Sequence, residues 1–238
     1  MQPMTRNAIA AVVSLLTAAS AAWAQTSDCA AFAATTLPSI SLKTEAVAGD
    51  STRPPGVTTG PTLVAHCKVN GKMAERRGQD GKPYHIGFEL RLPTAWNGRF
   101  LYQGGGGNDG VVRTAVGPQA APGYALNRGF AVVTTDAGHQ TPTADFGFDP
   151  IARTDNAYNA HDQVAVTAKE LIRQFYSKPA DKSYFIGCSG GGRQAMMFTQ
   201  RFPSYFDGVI GIEQMAMFGH LRPKPDARML RTIAVGLA

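Results

Sequence analysis

Ser189 stands in the run Gly187-Cys188-Ser189-Gly190-Gly191-Gly192, and its hydroxyl is the side chain in this sequence best placed to act as a nucleophile. The run follows the apolar stretch Tyr184-Phe185-Ile186 and precedes a helix-like stretch from Arg193 to Phe202. A strand, a sharp turn and a helix are thereby implied. This is the context in which a G-x-S-x-G pattern lifts a serine hydroxyl clear of a sheet. Small residues two before and two after the serine let strand and helix pass closely, and Gly187 and Gly191 occupy those places. The plainer reading is a glycine-rich turn whose serine caps the next helix.

A serine hydroxyl is a weak nucleophile until a histidine takes its proton, and the histidine needs a carboxylate to fix its tautomer. In α/β-hydrolases these partners follow the serine, acid before histidine. His220 is the only later histidine, and Asp207, Glu213 and Asp226 are the only later acids. His220 comes about one strand and one turn after the elbow helix, early for a base that ordinarily follows further βα units, so a surface position is the expectation. His139 follows a buried strand but precedes the serine, and is expected to organise its loop. His161, with Asp162, is expected to make local contacts at a helix start, while His66 and His85 fall in or near strands. No base is assigned among these four.

Acyl transfer also needs backbone N–H groups aimed where negative charge develops. Gly190, just after the serine, offers one; the glycine run Gly104 to Gly107 can supply another, or be no more than a flexible turn. No G-x-x-x-x-G-K-[ST] phosphate loop and no metal-ligand cluster is evident.

The elements that must position these groups read as α/β. Residues 25–60 are loop-rich, with the core expected to begin after them. Ile86, Phe88, Leu90 and Leu92 alternate with polar or small residues, so Tyr84 to Leu92 is the first convincing strand. Pro93 and the Trp96-Asn97-Gly98 turn lead into Arg99 to Gln103, which suggests a hairpin. Gly123 to Arg128 holds a short helix. Phe130 to Thr135 is a strand buried on both faces. Asp136 to Thr154 is a long polar and aromatic loop. Between Tyr158 and Phe175, apolar Val164, Ala165, Ala168, Leu171, Ile172 and Phe175 recur at helical spacing. Gly208 to Ile212 is the strand after the elbow helix, and beyond it no clear strand-and-helix pattern continues. Alternation of strands and helices implies a mostly parallel sheet with flanking helices.

With 238 residues the chain can bury one sizeable core. Arg6, the apolar run Ala8 to Ala22 and Ala22-Trp23-Ala24 read as a signal peptide spanning residues 1–24, leaving 25–238 as the domain and implying a secreted or periplasmic protein. The apolar run is short for a transmembrane span, which needs about 20 residues. Export permits disulfides. Three cysteines are present; Cys29 and Cys67 could tie the first segment to the next, which leaves Cys188 as the odd one beside the serine. The formal charge of +6 is spread along the chain rather than gathered in a stripe, which argues against nucleic-acid binding.

Trp96-Asn97-Gly98-Arg99-Phe100, Gly106-Gly107, Gly129-Phe130-Ala131, Thr135-Asp136-Ala137-Gly138-His139 and Gly187-Cys188-Ser189-Gly190-Gly191 together resemble the tannase and feruloyl esterase family over about residues 25–212. The cysteine directly before the serine is the most specific likeness. The resemblance implies an α/β-hydrolase fold, Ser189 as nucleophile, an oxyanion hole from Gly190 and Gly106, and a disulfide like Cys29–Cys67. It also implies that Cys188 is half of a bridge to a cysteine beside the catalytic histidine. That partner, the catalytic acid and base, the lid domain and its calcium site lie after the elbow in the family and have no matching positions here.

The expected chain is therefore an exported α/β-hydrolase with its C-terminal strands and lid missing, a serine carboxylic-ester hydrolase by family, acting on small esters of aromatic acids such as galloyl or feruloyl esters. It is expected to be impaired for want of acid, base and lid. No cofactor, no nucleic acid and, after signal cleavage, no membrane is expected as a partner. Two rival readings are a secreted polyester depolymerase or peptidase using His220 and Asp226, and a non-catalytic module that binds aromatic esters.

Overall fold

The computed structural model describes residues 29–32, 37–117, 123–212 and 233–236. The signal-peptide reading of residues 1–24, and His220, Glu213 and Asp226, lie outside them.

One eight-stranded mixed sheet organises the described residues. Its strands are β1 (Ile40–Val47), β2 (His66–Arg77), β3 (Pro83–Pro93), β4 (Arg99–Gln103), β5 (Ala131–Thr135), β6 (Lys182–Cys188), β7 (Gly208–Ile212) and β8 (Ile233–Gly236). They lie in the order β1-β2-β3-β5-β4-β6-β7-β8. The parallel block expected from the βα alternation is β5-β4-β6-β7. The first three strands join it antiparallel, and β8 closes on β7 antiparallel, so the sheet is more mixed than the sequence implied. β1 and β2 form in the stretch read as loop-rich or left unassigned, and β8 forms where no further strand was legible. β2 alternates cleanly over residues 67–73, and its ladder with β3 shifts register only after that, between Met73 and Arg76, where Ala74 takes a left-handed φ of 54°.

The expected hairpin between β3 and β4 does not form, because β5 lies between them. All five residues of β5 are buried, and such a strand needs a neighbour on each edge. The Trp96-Asn97-Gly98 turn is instead bonded to the lead into β5. The Asn97 N–H donates to the Gly129 carbonyl at 3.0 Å, and Asn97 Nδ2 donates to that of Arg128 at 2.7 Å.

Helix α1 (Cys29–Phe32) is tied to β2 by the Cys29–Cys67 disulfide. A short helix α2 (Pro150–Thr154) runs through a π-helical turn, Asp155–Asn159, into α3 (Ala160–Tyr176). The six apolar residues picked out by periodicity on α3 are all buried, and Arg173 is exposed. Helix α4 (Gly190–Arg201) follows β6 directly. Tyr102 of β4, Phe185 of β6, Phe198 of α4 and Phe206 form an aromatic core, with ring centroids 4.9–6.1 Å apart.

The connectivity fixes where a ligand can bind. From β4 the chain crosses to β5 on one side, whereas β6 and β7 lie on the other. The strand order thus reverses at the β4–β6 pair, and in open α/β sheets ligands bind outside the carboxyl ends of the strands at such a switch point. The glycine run leaves β4 there, and Ser189 leaves β6.

Candidate active site

Ser189 has φ 57° and ψ −113°, a backbone conformation that favours glycine. Its surroundings hold it in that state. The Ser189 N–H donates to the Ile212 carbonyl at the end of β7 (2.9 Å), and the Ser189 carbonyl accepts from the N–H groups of Gly192 (2.9 Å) and Arg193 (3.2 Å). The turn is thus pinned to the neighbouring strand and to its own helix, with the serine partly exposed.

The glycines flanking Ser189 are there for space. A Cβ on Gly187 would come within 2.6 Å of the Gly191 carbonyl carbon, so strand and helix touch backbone to backbone. A Cβ on Gly191 would lie 2.7 Å from the Gly105 carbonyl oxygen, and one on Gly190 would lie 2.6 Å from that of Gly107. The glycine run after β4 therefore packs directly against the start of α4.

That run is fastened one amide at a time. Gly104 N–H donates to the Ile186 carbonyl (2.8 Å), Gly105 N–H to Gln194 Oε1 (3.0 Å) and Gly106 N–H to Asp109 Oδ1 (3.0 Å). The Gly106 N–H, expected to face substrate, is thus turned to a carboxylate within its own loop. Gly107, with φ 62°, carries the first N–H of the run that has no acceptor among the described residues, and its nitrogen would sit 3.1 Å from a Cβ on Gly190. The Gly190 N–H, at the first turn of α4, has no acceptor among the described residues either.

Beneath this surface lies a buried polar layer. Gln194 Nε2 donates to Asp109 Oδ2 at 2.8 Å, and both side chains are buried. Burial drives the Asp109 carboxyl up to about 6, against the Gly106 and Gln194 hydrogen bonds and the charges of Arg193 and Arg113, all of which favour the carboxylate. Burial likewise lifts Asp136 to about 6, although Gly138 N–H (2.9 Å), Gly87 N–H (3.0 Å) and Gln140 Nε2 (3.1 Å) donate to it. Arg193 Nη2 donates to Asn156 Oδ1 (3.2 Å) in the π-helical turn, and Asn156 Nδ2 donates to the Asn108 carbonyl (3.4 Å), which ties α4, α3 and the glycine loop together.

The four described histidines are all engaged away from Ser189. His139 is fully buried against the Phe146 ring (centroids 4.1 Å apart), and burial holds its pKa below the usual value. His161 also reaches across the core, its Nδ1 lying 3.2 Å from the Tyr102 hydroxyl; complete burial lowers its pKa to about 3. Asp162 too reaches away from its own helix turn and accepts from the Tyr205 hydroxyl at 2.6 Å. His66 Nδ1 lies 2.7 Å from the Val64 carbonyl, and His85 lies 4.0 Å from Asp136. Among the described residues no histidine hydrogen-bonds the Ser189 hydroxyl. Asp207 sits at the opposite end of its strand from the serine, accepting from Lys182 Nζ (2.7 Å) and Ser183 N–H (2.8 Å). Cys188 stands exposed at the end of β6. Among the described residues no three His, Cys, Asp or Glu side chains are arranged to hold a metal ion, and no helix is long and apolar enough to cross a membrane.

Asp109 and Gln194 were not singled out from sequence, and Asp136 entered only within a motif of the resemblance. The usable signal was Gln194: it sits beside Ala195 and four residues before Phe198 on the inward face of α4, where an apolar residue is expected.

A family model described as tannase and feruloyl esterase matches residues 67–223. The chain is 46% identical over 167 residues to a mono(2-hydroxyethyl) terephthalate hydrolase of Piscinibacter sakaiensis, covering 66% of this chain and 28% of that protein. It is 38% identical over 127 residues to feruloyl esterase B of Aspergillus niger, covering 53% of this chain and 23% of that one. Among solved structures, feruloyl esterase B from Aspergillus oryzae superposes with a TM-score of 0.65 at 31% identity, over 77% of this chain and 36% of that one. Tannin acyl hydrolase from Aspergillus niger gives 0.54 at 28% identity, over 74% and 33%. The chain thus spans about a third or less of the length of these relatives.

Proposed function

The chain belongs to the tannase and feruloyl esterase family, and from that premise we propose that it hydrolyses esters of aromatic carboxylic acids through an acyl-enzyme on Ser189. The observation that carries the reading is the backbone of Ser189, held at φ 57° between β6 and an α4 whose first glycines pack against the glycine loop at the carboxyl end of β4. In the first half-reaction Ser189 Oγ attacks the acyl carbon, its proton passes to a base, and the ester C–O bond breaks as the alcohol leaves with that proton. Water then repeats the attack on the acyl-serine and releases the acid.

Negative charge on the acyl oxygen is received by the N–H groups of Gly190 and Gly107, the latter taking the place expected for Gly106, whose N–H is committed to Asp109. No histidine among the described residues serves as that base; the candidates are His220, the one histidine of the sequence outside them, and the family's catalytic histidine, which has no matching position here. Aromatic acyl groups are the favoured class because the terephthalate and feruloyl esters named for the relatives share an aryl ring conjugated with the ester carbonyl. Export to the periplasm or medium fits the Cys29–Cys67 bridge.

Steady-state assay of the chain on methyl ferulate and mono(2-hydroxyethyl) terephthalate, beside an aliphatic ester of equal leaving group, tests the reading. Cleavage of the aromatic esters that is slow, for want of a placed acid, base and lid, and lost in Ser189→Ala is expected. Binding of aromatic esters that survives Ser189→Ala, with no cleavage by the parent, would instead support a non-catalytic module.

A further inference from the structure

We propose that Asp109 and Gln194 are positioning residues for acyl transfer at Ser189, forming a clamp that holds the Gly105–Gly107 backbone against α4 so that the Gly107 N–H stays beside that of Gly190. The inference rests on the esterase reading above and adds to it the device that keeps the oxyanion hole in register.

Four consecutive glycines are the most conformationally free stretch a chain can have, and an oxyanion hole works only if its donors are already in place when charge develops. Something outside the run must therefore order it. Gln194 is suited to that because its side-chain amide has two different ends. Gly105 N–H can only donate, so it selects Gln194 Oε1; the Asp109 carboxylate can only accept, so it selects Nε2. Asp109 spends its other oxygen on the Gly106 N–H. Every amide from Gly104 to Gly106 is thus bonded, and the first one released is that of Gly107. Because Gln194 belongs to α4, whose first residue is Gly190, the clamp ties both oxyanion donors to one rigid element. The ionisable groups facing Asp109 are Arg193 on α4, Arg113 in its own loop, Tyr102 on β4 and Asp136 at the end of β5.

The test measures two things on the full chain: the second-order rate of Ser189 modification by an aryl fluorophosphonate, and hydrogen exchange of the 104–107 amides. Gln194→Met keeps the side-chain length and removes both bonds. Asp109→Asn leaves one acceptor where two are needed. Each is expected to slow labelling about 10- to 100-fold and to speed exchange at Gly105 and Gly106, with the amides of β4 and β6 unchanged. Gln194→Glu supplies the discriminating arm, because it sets a second carboxyl against Asp109. At pH values low enough for that pair to share a proton, the substituted side chain accepts from Gly105 and donates to Asp109, so the labelling rate, relative to the parent at the same pH, recovers. At higher pH two carboxylates face each other and the rate falls. Variants that label as fast as the parent, a Gln194→Glu ratio flat with pH, or exchange that rises equally across β4, β6 and α4 would each overturn the clamp. A parent chain that is unreactive at Ser189 overturns the esterase reading and the clamp's catalytic role with it.

Discussion

At the scale of single residues, the molecule stores strain at its proposed nucleophile. A non-glycine residue at φ 57°, ψ −113° costs on the order of 1–3 kcal/mol, and at Ser189 that cost is borne by bonds to Ile212, Gly192 and Arg193. Ser189→Gly is accordingly expected to melt at a higher temperature than Ser189→Ala, by about 1 kcal/mol once the greater chain entropy of unfolded glycine is subtracted. Equal melting temperatures would mean that the turn is relaxed. Much of this residue was legible in sequence, because a strand-like run, a small-x-Ser-x-small turn and a helix-like run are local patterns. The choice of oxyanion donor was not. Nothing in a row of four glycines says which N–H is bonded, and the answer depends on Asp109 and Gln194, the latter 90 residues away from Gly104.

At the scale of elements, the same long-range character explains the expectations that needed revision. β3 and the run leading into β4 read as a hairpin because they are neighbours in sequence; they are separated because β5 takes the position between them. Helix α3 was legible down to its buried face, since a 3.6-residue period is an intrinsic property of the segment. The joints between elements use buried carboxylates, and Asp136 is the clearest. It accepts the Gly87 N–H of β3 and the Gly138 N–H just after β5. Burial raises its pKa from 3.8 to about 6, with the nearby charge of Asp109 adding to the rise. The folded protein therefore holds this proton more tightly than the unfolded chain, and stability falls as pH rises from about 4 through 6. A rise of about two units corresponds to about 3 kcal/mol. Denaturant titrations of Asp136→Asn at pH 4.5 and 7.5 should show a smaller loss between the two pH values than the parent shows; an equal loss would place the pH dependence elsewhere.

At the scale of the whole molecule, composition and alternation established an α/β chain, and the family's scattered matches from Trp96 to Gly191 were distributed over strands β4, β5 and β6 and the loops that flank them. The antiparallel strands β1 and β2 do alternate, over residues 40–45 and 67–73, and were passed over because proline- and glycine-rich turns surround the first and the second was left unassigned. What the fold achieves as a unit is to bring a loop from β4, an elbow from β6 and the end of β7 to one place, with the aromatic core of Tyr102, Phe185 and Phe198 beneath. Activation of Ser189 for acyl transfer at this place is tested most directly by mass spectrometry of the purified chain after exposure to an aryl fluorophosphonate, with Ser189→Ala as control. One adduct per chain is predicted, located on Ser189 and absent from the control. A chain that stays unmodified under conditions that label a known serine esterase to completion, or an adduct that persists in Ser189→Ala, would contradict it.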